Sequence, residues 1–369
     1  MAPGRTCLFG DHQDYLGLPV IACAISRRIK LTAVENGLQV FNINKPDISQ
    51  KRTISIHQEL AHIEKGDHLL HTLNVLKRYN CVPDKGYDIE ITGNIPINAG
   101  TSSSSAFIVS WVNFLVEAFG IDAEVTPELI SQLSFEAEVL EQKAPGGKMD
   151  QYTIGLGNIV FIETGDDFSF EVINKPLEGI VIGESGIPKE TVGVLSELKE
   201  KAKLAINAVK GKIKDFDIKT AKRKDLDKYL VHVPEDLQGY LYAAIVNHDI
   251  TQRAFIEFKK PQPDYKKIGG LMSDHHEILK NILKVTVPRI DDMIEGALNA
   301  GAYGAKIVGS GGGGSIVVLA PPGKETQVIE AIKKAGAIAA YEVSVAPGAR
   351  ILEPSQTVNI SADSGTQTI

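Results

Sequence analysis

Residues 96–106 read PINAGTSSSSA and run straight into FIVSWVNFLVEAFG. The second run is apolar and has the look of a buried helix. The first run crowds a glycine, a threonine and four serines at that helix's mouth. A helix start exposes unpaired backbone N–H groups and carries partial positive charge. One serine or threonine is enough to cap it, so five leave a surplus. Two readings stand at this point. One is structural, a cap within a serine-rich loop. The other is an anion site, in which small residues let a phosphate reach the backbone and hydroxyls hold its oxygens or a metal.

Bulk properties narrow the class. The chain has 369 residues, enough for two ordinary domains. Its 43% hydrophobic and 23% charged residues give a globular profile. A net charge of −7 argues against a broad nucleic-acid surface. Cys7, Cys23 and Cys81 make no CxxC pair, so neither a disulfide framework nor a zinc site is expected. The opening MAPGRTCLFGDHQD reaches charge too early for a signal peptide. The longest apolar run, near 106–119, holds Ser110, Asn113 and Glu117 and is too short to span a bilayer. A cytoplasmic protein with no membrane partner is expected. Oligomeric state is left open.

Strand-like and helix-like segments mix in both halves without regular alternation, which predicts two α+β domains, 1–175 and 176–354, and a polar tail, 355–369. In the first half TCLFG and LPVIACAI flank the turn DHQDYLG, and YDIEITGNI leads to the serine loop. Helices are expected near 60–80, over 102–119 and over 127–142, the last begun by Thr126-Pro127-Glu128. In the second half LEGIVIGES reads as a strand, and long amphipathic helices follow through 189–210 and 220–285.

Four stretches carry chemistry. GSGGGG at 309–314 formally matches GxGxxG, but a strand, SIVVLA, follows it where a dinucleotide site needs a helix. Its glycines make either a tight hairpin or a wall of a site. GDHQDYLG packs Asp11, His12 and Asp14 into one turn, which is a polar loop, a metal or acid–base site, or a grip on a polyol. APGGKMDQY places Asp150 after two glycines and ahead of a strand, as a base, a ligand or a cap. No GxxxxGK[ST] motif occurs.

In order and spacing these stretches resemble the motifs of the GHMP small-molecule kinases, across nearly the whole chain. PGRTCLFGDHQDYLG is similar to the galactokinase signature. PINAGTSSSSA is similar to the family's phosphate loop, GGKMDQ to its catalytic-aspartate segment and GAKIVGSGGGGS to its third glycine motif. The resemblance implies a ribosomal-S5-like first domain, a ferredoxin-like second domain, and ATP meeting substrate between them. It implies that Asp150 is the base and Arg5 its partner. By it Pro96, Ala99, Gly100, Thr101, Ser102, Ser103, Ser104 and Ser105 hold the nucleotide. Ser104 and Glu138 hold Mg²⁺, with Glu136 and Glu141 as alternatives to Glu138. Asp11, His12, Asp14, Gly146, Gly147, Gly311 and Gly312 line the substrate pocket.

Within the family the galactokinase branch fits best, because Arg5 stands where mevalonate kinases usually carry lysine and DHQDY matches the sugar-binding EHTDY. The chain departs from the pattern at Asp11 (glutamate), Cys7 (asparagine), Thr101 (leucine) and Lys148 (usually apolar). Lys148 either meets an acidic group or faces water. The implied activity is phosphorylation of a small hydroxylated substrate, galactose first. Another aldose, a uronic acid, mevalonate, or a non-catalytic sugar and ATP sensor are the alternatives.

Overall fold

The computed structural model describes residues 1–188 and 192–352. The expected tail, 355–369, lies outside them. The first half is a seven-stranded sheet. Its strands are β1 (Ala2–Phe9), β2 (Val20–Glu35), β3 (Val40–Lys45) and β4 (Gln50–Ser55), then, after helix α1 (His68–Lys77), β5 (Tyr87–Gly93). Helices α2 (Ser103–Phe119), α3 (Pro127–Phe135) and α4 (Met149–Leu156) precede β6 (Ile159–Glu163) and β7 (Ser169–Ile173). The order is β4-β3-β5-β2-β6-β7, with β1 along the other flank of β2. All of β1 and the first six residues of β2 are buried; the start of β2, VIACAI, accordingly reads as an unbroken apolar run, while β1 carries Arg5 and Thr6 into the interior.

Helix α2 is buried as its composition requires. Trp111 is fully enclosed, edge-on to Phe41 and stacked on Phe114. Thr126 caps α3, accepting from Leu129 N at 3.1 Å, with Pro127 in the first turn. Three local expectations need correction. The helix near 60–80 begins only at His68, where Asp67 caps it. The helix over 127–142 is not uniform and stops short: α3 passes directly after Phe135 into a π-turn, Glu136–Leu140. Asp150 does not stand in a loop ahead of a strand but in the first turn of α4.

The second half begins with β8 (Ile180–Glu184) and continues through α5 (Val192–Lys210), α6 (Leu226–Leu230), α7 (Glu235–Phe258), α8 (Tyr265–Asn281) and α9 (Pro288–Asn299). Then come β9 (Gly304–Ile307), β10 (Ser315–Leu319), α10 (Glu325–Lys334) and β11 (Ala339–Val343). The antiparallel order β11-β8-β10-β9 is the βαββαβ, ferredoxin-like arrangement. One apolar core runs from β1, β2 and β6 to α7, α8 and β10, so the two halves share an interior. After β11 the chain returns to the first sheet. Ile25 bridges Val345, Gly157 bridges Pro347, and Ala346 N donates to Ala24 O at 2.9 Å. Among the described residues no helix is long and apolar enough to cross a membrane.

Candidate active site

The serine loop and the second glycine loop press together backbone to backbone. A Cβ on Gly100 would stand 3.1 Å from Val308 O, and one on Gly314 would stand 3.2 Å from Ala99 O. Side chains at these places would separate the loops. The carbonyls of the serine loop are tied down. Ala99 O accepts from the Ser315 hydroxyl, Gly100 O from Arg5 Nη1 at 2.5 Å, and Thr101 O from Arg5 N at 3.2 Å. The α2 N-terminus therefore opens on a loop fixed by its oxygens.

Ser102 sits at the N-cap in a left-handed conformation (φ 59°), and its hydroxyl caps nothing. It donates instead to Asp150 Oδ2 at 2.5 Å. Arg5 grips the same carboxylate with two bonds, Nε to Oδ1 and Nη2 to Oδ2, both 2.8 Å. This fork is rigid and charge-assisted. Burial works against the Arg5 charge, but Asp150 outweighs it and the guanidinium pKa rises.

Glu138 approaches from the other side. The π-turn turns it inward, and Gln151 Nε2 donates to it at 2.6 Å. The Ser104 and Ser105 hydroxyls also bond it. Burial raises its pKa; the Gln151 bond opposes this, and Asp150 adds to the rise. The two alternatives are committed elsewhere. Glu136 accepts from Tyr79, and Glu141 from Asn74 and Arg78.

These groups line one cleft of about 430 Å³ with Asp14, Tyr15, Gly146, Gly147 and the α1 entrance at Lys65–His68. Among the described residues no three His, Cys, Asp or Glu side chains cluster as a metal site. Glu138 with two serine hydroxyls nonetheless fits magnesium. That ion usually takes one or two carboxylates, keeps waters and uses substrate phosphates for the rest.

Asp14 is the second carboxylate of the acceptor end. Burial, then repulsion from Asp150, pushes its pKa up to about 6, against a bond from Tyr15 N. Gly147 lies so close that a Cβ there would meet Asp14 Oδ2 at 2.2 Å.

Several expected positions stand elsewhere. Asp11 borders the cleft, but both its oxygens are engaged, one by the Lys306 ammonium and the other by Gly309 N at 2.7 Å. Burial alone would raise its pKa; Lys306 outweighs that and lowers it. Gly311 and Gly312 are not the cleft wall. They pack on Val285, whose carbonyl accepts from Gly312 N, and the wall is Gly309 and Ser310. Thr101 is fully buried, and Pro96, Ala99, Gly100, Ser102 and Ser103 support the loop whose cleft-lining residues are Asn98, Ser104 and Ser105. Lys148 does not line the cleft and is half-exposed. Its ammonium lies 3.9 Å from the Phe168 ring centre. Lys306, Ser310 and Gln151 were not singled out from sequence. A lysine inside the apolar strand GAKI is the one local signal that was available, since a buried lysine requires a partner.

Family models agree with this architecture. The GHMP kinase N-terminal domain matches residues 67–158, the GHMP kinase C-terminal domain 254–338, and the galactokinase galactose-binding signature 1–33. The chain belongs to the GHMP kinases. This GHMP kinase is therefore an ATP-dependent kinase with the family's two-domain fold. It is 27% identical to a mevalonate kinase of Thermococcus sibiricus, over 91% of this chain and 92% of that one. It is 28% identical to a galactokinase of Thermococcus kodakarensis, over 88% and 89%. The crystal structure of Lactococcus lactis galactokinase complexed with galactose superposes with a TM-score of 0.83, at 21% identity over 94% of this chain and 93% of that one.

Proposed function

We propose that this GHMP kinase phosphorylates a neutral sugar, galactose first, on a hydroxyl presented to Asp150. The observation that carries this reading is the charge of the acceptor end. Asp14, His12, Tyr15 and Ser310 line it, and two of the cations beside it, Arg5 and Lys306, are each paired with a carboxylate. Lys148 is held on Phe168, while Lys65 lines the α1 entrance of the cleft and Lys199 attracts Asp14. Asp14 suits paired hydroxyls, because a carboxylate accepts from two at once.

In this reading the serine loop and the α2 N-terminus receive the ATP phosphates, and Ser104 and Glu138 hold Mg²⁺. Bound magnesium would supply charge neutralisation on the phosphate oxygens. Asp150 takes the proton of the attacking hydroxyl through an oxygen that Arg5 and Ser102 hold in place. Arg5 also offsets charge on the moving phosphoryl group. Such transfers depend mainly on positioning and charge neutralisation.

An ADP-release assay with ATP and Mg²⁺ tests the reading. Galactose, glucose, arabinose, galacturonate, glucuronate, N-acetylgalactosamine and mevalonate are run in parallel. Turnover with galactose supports it. Turnover confined to mevalonate would side with the Thermococcus sibiricus relative, and turnover confined to uronates would overturn the charge argument.

A further inference from the structure

Three polar atoms of cleft-lining residues have no hydrogen-bond partner: Gln151 Oε1 beside Glu138, and, at the acceptor end, the pair His12 Nε2 and Ser310 Oγ. His12 and Ser310 are more than nine-tenths buried, at 7% and 6% exposure. Unpaired buried polar groups are rare and costly, and where they persist they commonly mark a ligand's place. Neither is an accident of a loose loop. His12 is held in a left-handed conformation (φ 65°) that aims its ring inward, with Nδ1 3.1 Å from the Tyr15 hydroxyl. Ser310 is the one residue with a side chain in GSGGGG, and the glycines on either side, φ 80° and 82°, form the arch that presents it. The Ser310 main chain also lies close enough to the His12 ring to favour its protonated form, though not in the geometry of a normal hydrogen bond to Nε2. The loop is anchored beneath by Gly309 N on Asp11.

We infer that Ser310 Oγ and His12 Nε2 together bind one acceptor hydroxyl remote from the reacting one, making Ser310 a specificity-determining residue. This rests on the sugar-kinase reading and deepens it. The chemistry of the pair selects the ligand group. A serine hydroxyl rotates to donate or accept, and an imidazole Nε2 does one of the two according to its tautomer. A ligand hydroxyl, which both donates and accepts, completes the set with either tautomer. A carboxylate would meet the charge of Asp14, and the Lys306 ammonium is already taken by Asp11. Burial also keeps His12 uncharged at neutral pH, with a pKa near 4.

The experiment measures kcat and KM of the full-length enzyme and of Ser310→Ala and Ser310→Thr. The acceptors are the best sugar from the screen and its monodeoxy analogues. For the parent sugar, Ser310→Ala is expected to raise KM about threefold to tenfold, the range of one neutral hydrogen bond, with kcat nearly unchanged. Loss of binding without loss of rate marks contact made equally in ground and transition states. Ser310→Thr, which keeps the hydroxyl, should restore most of the affinity. One deoxy analogue should bind wild type and Ser310→Ala equally. An unchanged KM in Ser310→Ala, or the same penalty on every deoxy analogue, overturns the inference. If wild type acts on a non-sugar acceptor only, the sugar reading fails by itself, and the same variants on that acceptor still decide the role of Ser310. If Ser310→Ala misfolds, as thermal unfolding would show, Ser310→Cys replaces it with the same expected rise.

Discussion

Asp150 has both oxygens committed before any substrate arrives, to the Arg5 fork and the Ser102 hydroxyl. Conversion to the amide removes the charge and sets an NH2 donor against the Arg5 and Ser102 donors, so part of the fork is lost with it. Asp150→Asn should lower kcat by about 10²- to 10⁴-fold, the usual worth of a positioned base, while calorimetric ATP affinity stays near wild type. Retained turnover would remove Asp150 from the chemistry. Asp14 makes a different prediction. Its pKa rises from an ordinary 3.8 to about 6, through burial first and Asp150 second. Between those values the native state binds a proton that the unfolded chain has released, so stability falls as pH rises through that window and is flat above it. Two pKa units correspond to about 2.7 kcal/mol. Asp14 is partly open to the cleft, and solvent there screens its charge, so Asp14→Asn should gain about 1 to 2 kcal/mol at pH 7 in urea unfolding. It should also raise the sugar KM and erase a rise in kcat/KM centred near pH 6. At this scale the sequence was partly legible. Arg5, Asp150, Glu138 and Asp14 stand together as the motif resemblance implied. Asp11 did not keep its implied partner, because Lys306 lies 295 residues away and no local pattern announces the pairing.

Elements read best where the signal was local. Thr126-Pro127 marks the start of α3 because cap and first-turn proline act on their own neighbours. The π-turn at Glu136–Leu140, which carries Glu138, had no such marker, since one extra residue per turn leaves composition unchanged. The GSGGGG loop was legible as a close approach but not in direction, since a glycine's contacts come from whatever packs against it. The 144–148 loop carries its own test. Gly147 has no left-handed φ, so alanine is tolerated by the backbone; the nearest group its Cβ would strike is Asp14. Gly147→Ala should therefore leave the melting temperature within a few degrees of wild type, leave ATP affinity unchanged and raise the sugar KM about tenfold, on the order of the cost of displacing one positioned group. Weakened ATP binding in that variant would place the loop on the nucleotide side instead.

At the scale of the molecule the halves are joined by a buried ion pair. Lys306 of β9 is fully enclosed, and its ammonium also bonds Cys7 O at 3.1 Å and Ile307 O at 2.7 Å. Removing one member of such a pair strands the other charge, at a cost of about 3 to 5 kcal/mol. Lys306→Met should lose that much in urea unfolding, and adding Asp11→Asn should recover a good part of it. A loss in the double variant equal to the sum of the two single losses would show that the charges are not coupled.

The return of residues 344–349 to β2 and α4 has a mechanical meaning. Two bodies tied by one strand of chain can swivel in any direction. These are tied twice, by the passage from Ile173 to Ile180 and by the segment after Val343. Any widening of the cleft is thereby confined to rotation about the line joining those two attachments, as a door turns on a pair of hinges, with Asp11 and Lys306 as its latch.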